Sequence, residues 1–269
     1  MTSGTPRPVV DATLLNSPGG GAQWTNLGFW REARSYEEAA TELARRTGQA
    51  ARLGPGDVVL DVACGHGDSL ALWVKAFGVK RVIGVEPDPA LVLATQERVN
   101  ALGLRHRIVL RRGEAETLEI ARDFPGLTAV VCIDAAYHFD TRAKWLKRLG
   151  AGVAPGTRLG LADLLIPYRT RASRGVAEIA RRAQIPTDNL WSAQDVEPVL
   201  AEAGWVLDRM IRCGSDVLGG FSRFAFRSAL RWAMRPLSGG WRALATGVGI
   251  AGVGRGGRLD YAIISATKR

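Results

Sequence analysis

An α/β fold built on a mostly parallel sheet with helices on both faces is what this chain predicts, on three observations. Apolar runs of strand length alternate with helix-like stretches from about residue 58 to about residue 200. The first of these runs, VVLDVACGHGDSL from Val58 to Leu70, ends its strand in an acid and breaks into a glycine loop, and the next, VIGVEPD from Val82 to Asp88, carries an acid at its tip. The third observation is length: 269 residues suit one large α/β domain with insertions.

The elements follow in order. Residues 1–22 are rich in Gly, Pro, Ser and Thr, ending in Pro18-Gly19-Gly20-Gly21, and predict a mobile arm ahead of a single domain over 23–269. Ser35-Tyr36-Glu37-Glu38 has the pattern of a capping box and opens a helix running to about Gly48. Leu53-Gly54-Pro55-Gly56 turns the chain into the first strand. Later strands are expected at Ile108 to Leu110, Arg158 to Asp163, Trp205 to Arg212 and Leu259 to Ala266. The last two are too far apart for a hairpin loop. The intervening residues 213–258, with 167–190 after the fifth strand, are expected to form a lid over the site.

Gly65 and Gly67 allow a ligand close to the backbone, and Glu86 stands nineteen residues after Gly67. At that interval a strand-end carboxylate accepts both hydroxyls of a ribose, which points to an adenosine. A dinucleotide loop wants a third glycine three residues after the second; Leu70 stands there, so a pyrophosphate fits poorly. No GxxxxGK[ST] string occurs. Asp61 adds negative charge, which suits a ligand bearing an ammonium and a sulfonium better than one bearing phosphates. S-adenosylmethionine is such a ligand.

The string Asp61-Val62-Ala63-Cys64-Gly65-His66-Gly67 resembles the first motif of the class I S-adenosylmethionine-dependent methyltransferases, with Ala63 in place of the family's first glycine. Gly113-Glu114-Ala115-Glu116 is similar to the family's adenine-contacting turn, and Cys132-Ile133-Asp134-Ala135-Ala136-Tyr137-His138-Phe139 to its fourth motif at the mouth of the site. Leu149 to Thr157 resembles the helix-turn-strand step before the fifth strand. The resemblance implies a Rossmann-like seven-stranded sheet whose last strand is antiparallel. It also implies cofactor contacts from Asp61, Ala63, Cys64, Gly65, Gly67, Glu86, Pro87, Glu114, Ala115, Asp134 and Ala135. Asn26-Leu27-Gly28-Phe29-Trp30 resembles a segment that folds over the cofactor in small-molecule members such as the tocopherol, sterol, coclaurine and quinone methyltransferases, making Trp30 a candidate contact; an ordinary buried tryptophan is the alternative.

Methyl transfer from a sulfonium asks the protein mainly to align the reactants in a dry pocket. If a base is needed, His138 after the fourth strand is the candidate catalytic residue, with packing and loop support as its alternative. Tyr137 can orient the nucleophile or line the pocket with its ring. Asp134 can accept from the methionine ammonium or cap the following turn. His66 reads as a loop residue, and no metal site is expected.

Net charge is +10, and the segment from Arg209 onward carries ten Arg and one Lys against two Asp. Arg223, Arg227, Arg231 and Arg235 recur every four residues and form one slanted helical stripe beside Phe221, Phe224 and Phe226. Such a helix can meet an anionic membrane surface or an acidic ligand, or be a cap helix with solvated arginines. Three cysteines without CxxC spacing argue against disulfides or zinc and fit a reducing compartment. No leader pattern and no run of about eighteen apolar residues is present, so a soluble, cytoplasmic protein is expected. The predicted function is methyl transfer to O, N or C of a small, apolar or lipid-like acceptor. The alternatives are a nucleic-acid methyltransferase, disfavoured because Asp134-Ala135-Ala136-Tyr137 lacks the prolines of [DNS]PP[YF], and a cofactor-binding protein without turnover.

Overall fold

The computed structural model describes residues 12–167, 173–233 and 259–269. Strands β1 Val58–Val62, β2 Arg81–Glu86, β3 Ile108–Arg112, β4 Ala129–Ile133, β5 Arg158–Leu165, β6 Trp205–Arg212 and β7 Asp260–Lys268 form one sheet in the order β3-β2-β1-β4-β5-β7-β6. The first five are parallel, while β7 runs antiparallel to both β5 and β6, as the resemblance implied.

Period-two alternation puts a core on each face. Leu60, Val62, Ile83, Val85 and Val130 point to one side with Ile120 of the short helix α5 (Ile120–Asp123) and Trp145, Leu146 and Leu149 of helix α6 (Arg142–Gly152). Val59, Val82 and Val131 point to the other, against Ala40 and Ala44 of α2 (Tyr36–Ala50) and Trp73 of α3 (Asp68–Phe77). Strands β1, β2, β4 and β5 are buried on both faces, which is why they read as near-continuous apolar runs, whereas β6 at the sheet edge is largely exposed.

Strand order reverses direction beside β1, between the β1–β2 and β4–β5 halves. The loops leaving β1 and β4 therefore diverge at the carboxyl end of the sheet and open a crevice there. Helix α4 (Pro89–Ala101) starts sharply at the same edge, because Asp88 caps it by accepting the Ala90 N–H at 2.8 Å and Pro89 supplies a preset φ at its first position.

Two expectations change. Residues 12–22 are not a loose arm: α1 (Ala12–Leu15) buries Ala12, Leu14 and Leu15, and the Asn16 amide bonds the Ala12 and Trp24 carbonyls. Three apolar side chains outweigh the turn-rich composition around them; residues 1–11 lie outside the described part. The capping box at Ser35 is half formed. Ser35 Oγ accepts the Glu38 N–H at 3.1 Å, but the Glu38 carboxylate accepts the N–H of Arg34 instead of Ser35.

The segments expected to form a lid contribute α7 (Arg174–Arg182) and α9 (Gly220–Ala233). Val176 and Ala180 pack with Phe29, Leu164, Val217 and Tyr261 over the β5–β7 edge. Phe221 and Ala225 pack with Trp24 and Tyr36. α8 (Ala193–Glu202) leads into β6.

Candidate active site

The loop after β1 turns on three left-handed residues, Ala63 (φ +60°), Gly65 (+53°) and Gly67 (+79°). Gly67 is required twice over, since a Cβ there would also overlap Thr95 of α4. Thr95 Oγ1 donates to the Gly65 carbonyl at 3.0 Å, fixing the loop from the α4 side. A Cβ on Gly65 would meet nothing nearer than Thr25 Oγ1 at 3.8 Å, so a ligand has room against this backbone.

Glu86 closes the opposite side of that space. Its Oε2 accepts the Gly65 N–H at 3.0 Å and its Oε1 accepts the Asp88 N–H at 3.2 Å, which aims the carboxylate along the glycine loop. Pro87 follows, its carbonyl bonded by Arg112 at 3.4 Å. The backbone of Gly113 donates to the Glu86 carbonyl at 3.2 Å, so the exposed Glu114 and buried Ala115 stand just beyond the β3 end of the same edge.

Asp61 is 2% exposed and accepts the Trp73 indole N–H at 2.7 Å as well as the Ser69 hydroxyl. Burial still pushes its pKa up to about 6, and the charge of Glu86 adds to the push. Burial also drives the Cys64 thiol upward, so Cys64 is a packed thiol whose backbone N–H pairs with Val85.

The N-terminus of α3, where a dinucleotide would place its phosphates, is closed. Asp68 sits there and accepts both Arg98 nitrogens, at 2.9 and 3.0 Å, and the Gln23 N–H at 3.2 Å. Arg98 further donates to the carbonyls of His66 and Gly21. A carboxylate and an overlying strap occupy the positive end of the helix, while Leu70 points into the core.

On the β4 side, Asp134 adopts φ +55° and accepts three protein donors: Leu27 N–H to Oδ2 at 2.8 Å, and the hydroxyls of Tyr137 and Tyr261 to Oδ1 at 3.1 and 3.0 Å. Burial pushes Asp134 up to about 6, and burial beside Asp134 pushes both phenols up, keeping them protonated as donors. Ala135 starts the short turn Ala136–His138, and the rings of Tyr137 and His138 lie 4.3 Å apart.

Trp30 is a wedge. Its indole N–H donates to the Leu27 carbonyl at 2.8 Å, its ring stacks on Phe224 at 5.1 Å, and a Cβ at Gly220 would overlap it. It joins the strap of residues 21–30 to α9. Further along α9, Arg223 and Arg227 are exposed with Phe226 between them; the Arg231 side chain and all of Arg235 lie outside the described residues.

Several residues that build the site have no motif. Asp163 and Arg142, both almost fully buried, pair at 2.6 Å behind the Tyr137 turn, with burial raising the Asp163 pKa and the guanidinium pulling it back. An acid inside the apolar string of β5 was the available signal for Asp163. Tyr261 gave none, because only the antiparallel insertion of β7 brings it to Asp134. Among the described residues no cluster of His, Cys, Asp and Glu is placed to hold a metal ion, and no helix is long and apolar enough to cross a membrane.

The sheet order, the glycine loop and the strand-tip Glu86 carboxylate are arranged as the resemblance to the class I S-adenosylmethionine-dependent methyltransferases implies. Residues 59–156 match a family model described as a methyltransferase domain. The chain is 29% identical over 192 residues to erythromycin 3''-O-methyltransferase of Saccharopolyspora erythraea, an alignment covering 68% of this chain and 62% of the relative. It is 33% identical over 116 residues to 2-phytyl-1,4-naphtoquinone methyltransferase of Synechococcus elongatus, covering 42% and 48%. In fold it is similar to a cyclopropane synthase of Mycobacterium tuberculosis, with TM-score 0.75, 19% identity and coverage of 91% and 90%. A geranyl diphosphate C-methyltransferase of Streptomyces coelicolor gives TM-score 0.74 at 17% identity, covering 97% and 90%.

Proposed function

We propose that the protein transfers the methyl group of S-adenosylmethionine to an O, N or C atom of a small, apolar or lipid-like acceptor. The single observation that carries the cofactor is the Glu86 carboxylate bonded to Gly65 N–H at 3.0 Å, a strand-tip acid locked to a glycine loop with room for a ligand. The donor set supports it. Asp61, Glu86, Glu114 and Asp134 are all acidic, and the helix terminus that would take a phosphate is closed by Asp68. Such a crevice favours a cation.

When bound, S-adenosylmethionine supplies a methyl on an activated sulfonium. Glu86 would hold the ribose, with Pro87 beside it; Ala63, Cys64, Gly65 and Gly67 would cradle the amino-acid part under the influence of Asp61; Glu114 and Ala115 would flank the base; and Asp134 and Ala135 would border the sulfur side by supporting the turn there. Alignment of this kind contributes on the order of 7 to 11 kcal/mol to lowering the barrier. His138 is the side chain of the β4 turn that can take a proton from a hydroxyl acceptor, with Tyr137 lining the pocket. The relatives named for erythromycin and a phytyl naphthoquinone support a small acceptor with a large apolar part.

The exposed face of α9, with Phe226 at 62% exposure between Arg223 and Arg227, supports contact with an anionic membrane surface, where an apolar acceptor would reside. Sedimentation with phosphatidylserine vesicles, lost in an Arg223→Glu, Arg227→Glu double variant, tests that part.

Calorimetric titration with S-adenosylhomocysteine tests the cofactor. Binding by the wild type and a loss of at least about tenfold in Glu86→Ala are expected, the worth of a hydrogen bond to a charged group. Equal affinity in the variant removes Glu86 from the site, and no binding by the wild type overturns the reading.

A further inference from the structure

The residues on either side of His138 are held by one amide. Asn189, 2% exposed, ends the short turn Thr187–Asn189 between α7 and α8. Its Nδ2 donates to the Tyr137 carbonyl at 3.1 Å and to the Phe139 carbonyl at 2.7 Å, and its Oδ1 accepts the Arg142 backbone N–H at 2.8 Å. Both amide hydrogens and the amide oxygen are thus engaged, a pattern satisfied by only one orientation of the group.

The same turn is pinned from β5. Asp163 Oδ1 accepts the Tyr137 N–H at 3.2 Å, while its Oδ2 takes the Arg142 guanidinium at 2.6 Å. Arg142 closes the ring by donating to the Asn189 carbonyl and lying over Trp191 at 4.1 Å. Residues 137–139 are therefore held through three of their backbone polar groups by side chains outside their own motif. Asn189 holds the peptide before His138 through the Tyr137 carbonyl and the one after Phe139, while the peptide between is held by the Phe139 N–H on the Ala136 carbonyl at 3.1 Å, so the bracket sets the direction of the His138 Cα–Cβ bond.

We propose that Asn189 is a positioning residue for His138, fixing the imidazole toward the acceptor side of the crevice. The proposal rests on the reading above, in which His138 takes the acceptor's proton, and it adds that residues after the fifth strand control that step. A displacement of about 1 Å in such a group costs on the order of a hundredfold in rate, which is why a buried bracket matters for a base on a three-residue turn.

The test needs no acceptor. The chain has three histidines, so the His138 ring can be assigned and titrated by NMR against His66 and His106. In Asn189→Ala, the His138 titration midpoint and its ring-to-ring contact with Tyr137 are expected to change. His66, His106 and the affinity for S-adenosylhomocysteine are expected to stay as in the wild type. An unchanged His138 signature in the folded variant overturns the proposal. Should Asn189→Ala not fold, the wild type decides by itself: the two Asn189 side-chain amide hydrogens must exchange far more slowly than those of exposed Asn100, and equal exchange overturns it. Absence of S-adenosylhomocysteine binding in the wild type is a separate result; it removes the functional reading and leaves the His138 comparison intact.

Discussion

The backbone N–H of Leu27 donates to the Asp134 carboxylate at 2.8 Å, across 107 residues of chain. Asp134 simultaneously takes the hydroxyls of Tyr137 and Tyr261 on its other oxygen. One carboxylate thereby joins the strap that crosses the glycine loop to the turn that carries His138. A further anchor of the strap is the Asp68–Arg98 pair, which holds Gly21 and Gln23.

Removing the first anchor should loosen the strap. Asp134→Ala strands the Leu27 N–H and two tyrosine hydroxyls, and a hydrogen bond to a charged group is worth about 1.5 to 3 kcal/mol. S-adenosylhomocysteine affinity should fall by about tenfold or more, with increased proteolysis or hydrogen exchange over residues 21–30. Equal protection of that segment in wild type and variant would show that Asp134 does not hold it.

Asp61 and Asp134 set a pH dependence whose sign is unusual for carboxylates. Burial raises both from 3.8 to about 6, so between those values the folded protein binds more protons than the unfolded chain. Their stabilising contribution is full below about pH 4 and is lost as pH rises through about 6. Each accounts for on the order of 3 kcal/mol. In urea titrations, Asp61→Asn should gain stability relative to wild type by up to that amount from pH 4 to pH 7. A difference that stays constant with pH would contradict the raised value.

Ala63 is the family's glycine position filled by a residue at φ +60°. The left-handed region costs an L-residue roughly 1 to 2 kcal/mol, partly offset by the lower chain entropy of alanine. Ala63→Gly should therefore stabilise the protein by about 0.5 to 1 kcal/mol in denaturant unfolding. Destabilisation would mean that the Ala63 methyl packs more tightly than its backbone is strained.

Arg142 and Asp163 form the most buried ion pair of the described residues, at 1% and 0% side-chain exposure. Deleting one partner leaves the other charge buried, so Arg142→Leu should cost about 3 to 5 kcal/mol. Double replacement with Asp163→Leu should recover part of that loss, which a double-mutant cycle measures directly. Additive losses would show that the two side chains do not depend on each other.

The sheet and the glycine-loop edge were legible because their signals are local. Gly65, Gly67 and Glu86 sit at the ends of strands buried on both faces, so apolar runs, punctuation and spacing fix them without knowledge of any distant residue. The ordered α1 was missed for the opposite reason: four residues of helix are stabilised by packing against Trp24 and Tyr36, not by propensity. Trp30 carried a recognisable string, yet its wedge against Gly220 depends on where α9 docks.

The chain by itself determined an α/β sheet and a glycine turn facing a strand-tip acid, because periodicity and turn chemistry act over a few residues. Only the tertiary structure decided that Asp134 would be spent on Leu27 and two tyrosines, and that Asn189, Arg142 and Asp163 would bracket His138. Those pairings span up to 127 residues and exist only once β7 inserts beside β5 and the segment after β5 folds back on the β4 turn. Burial then sets their charge states, and burial is a property of the assembled fold.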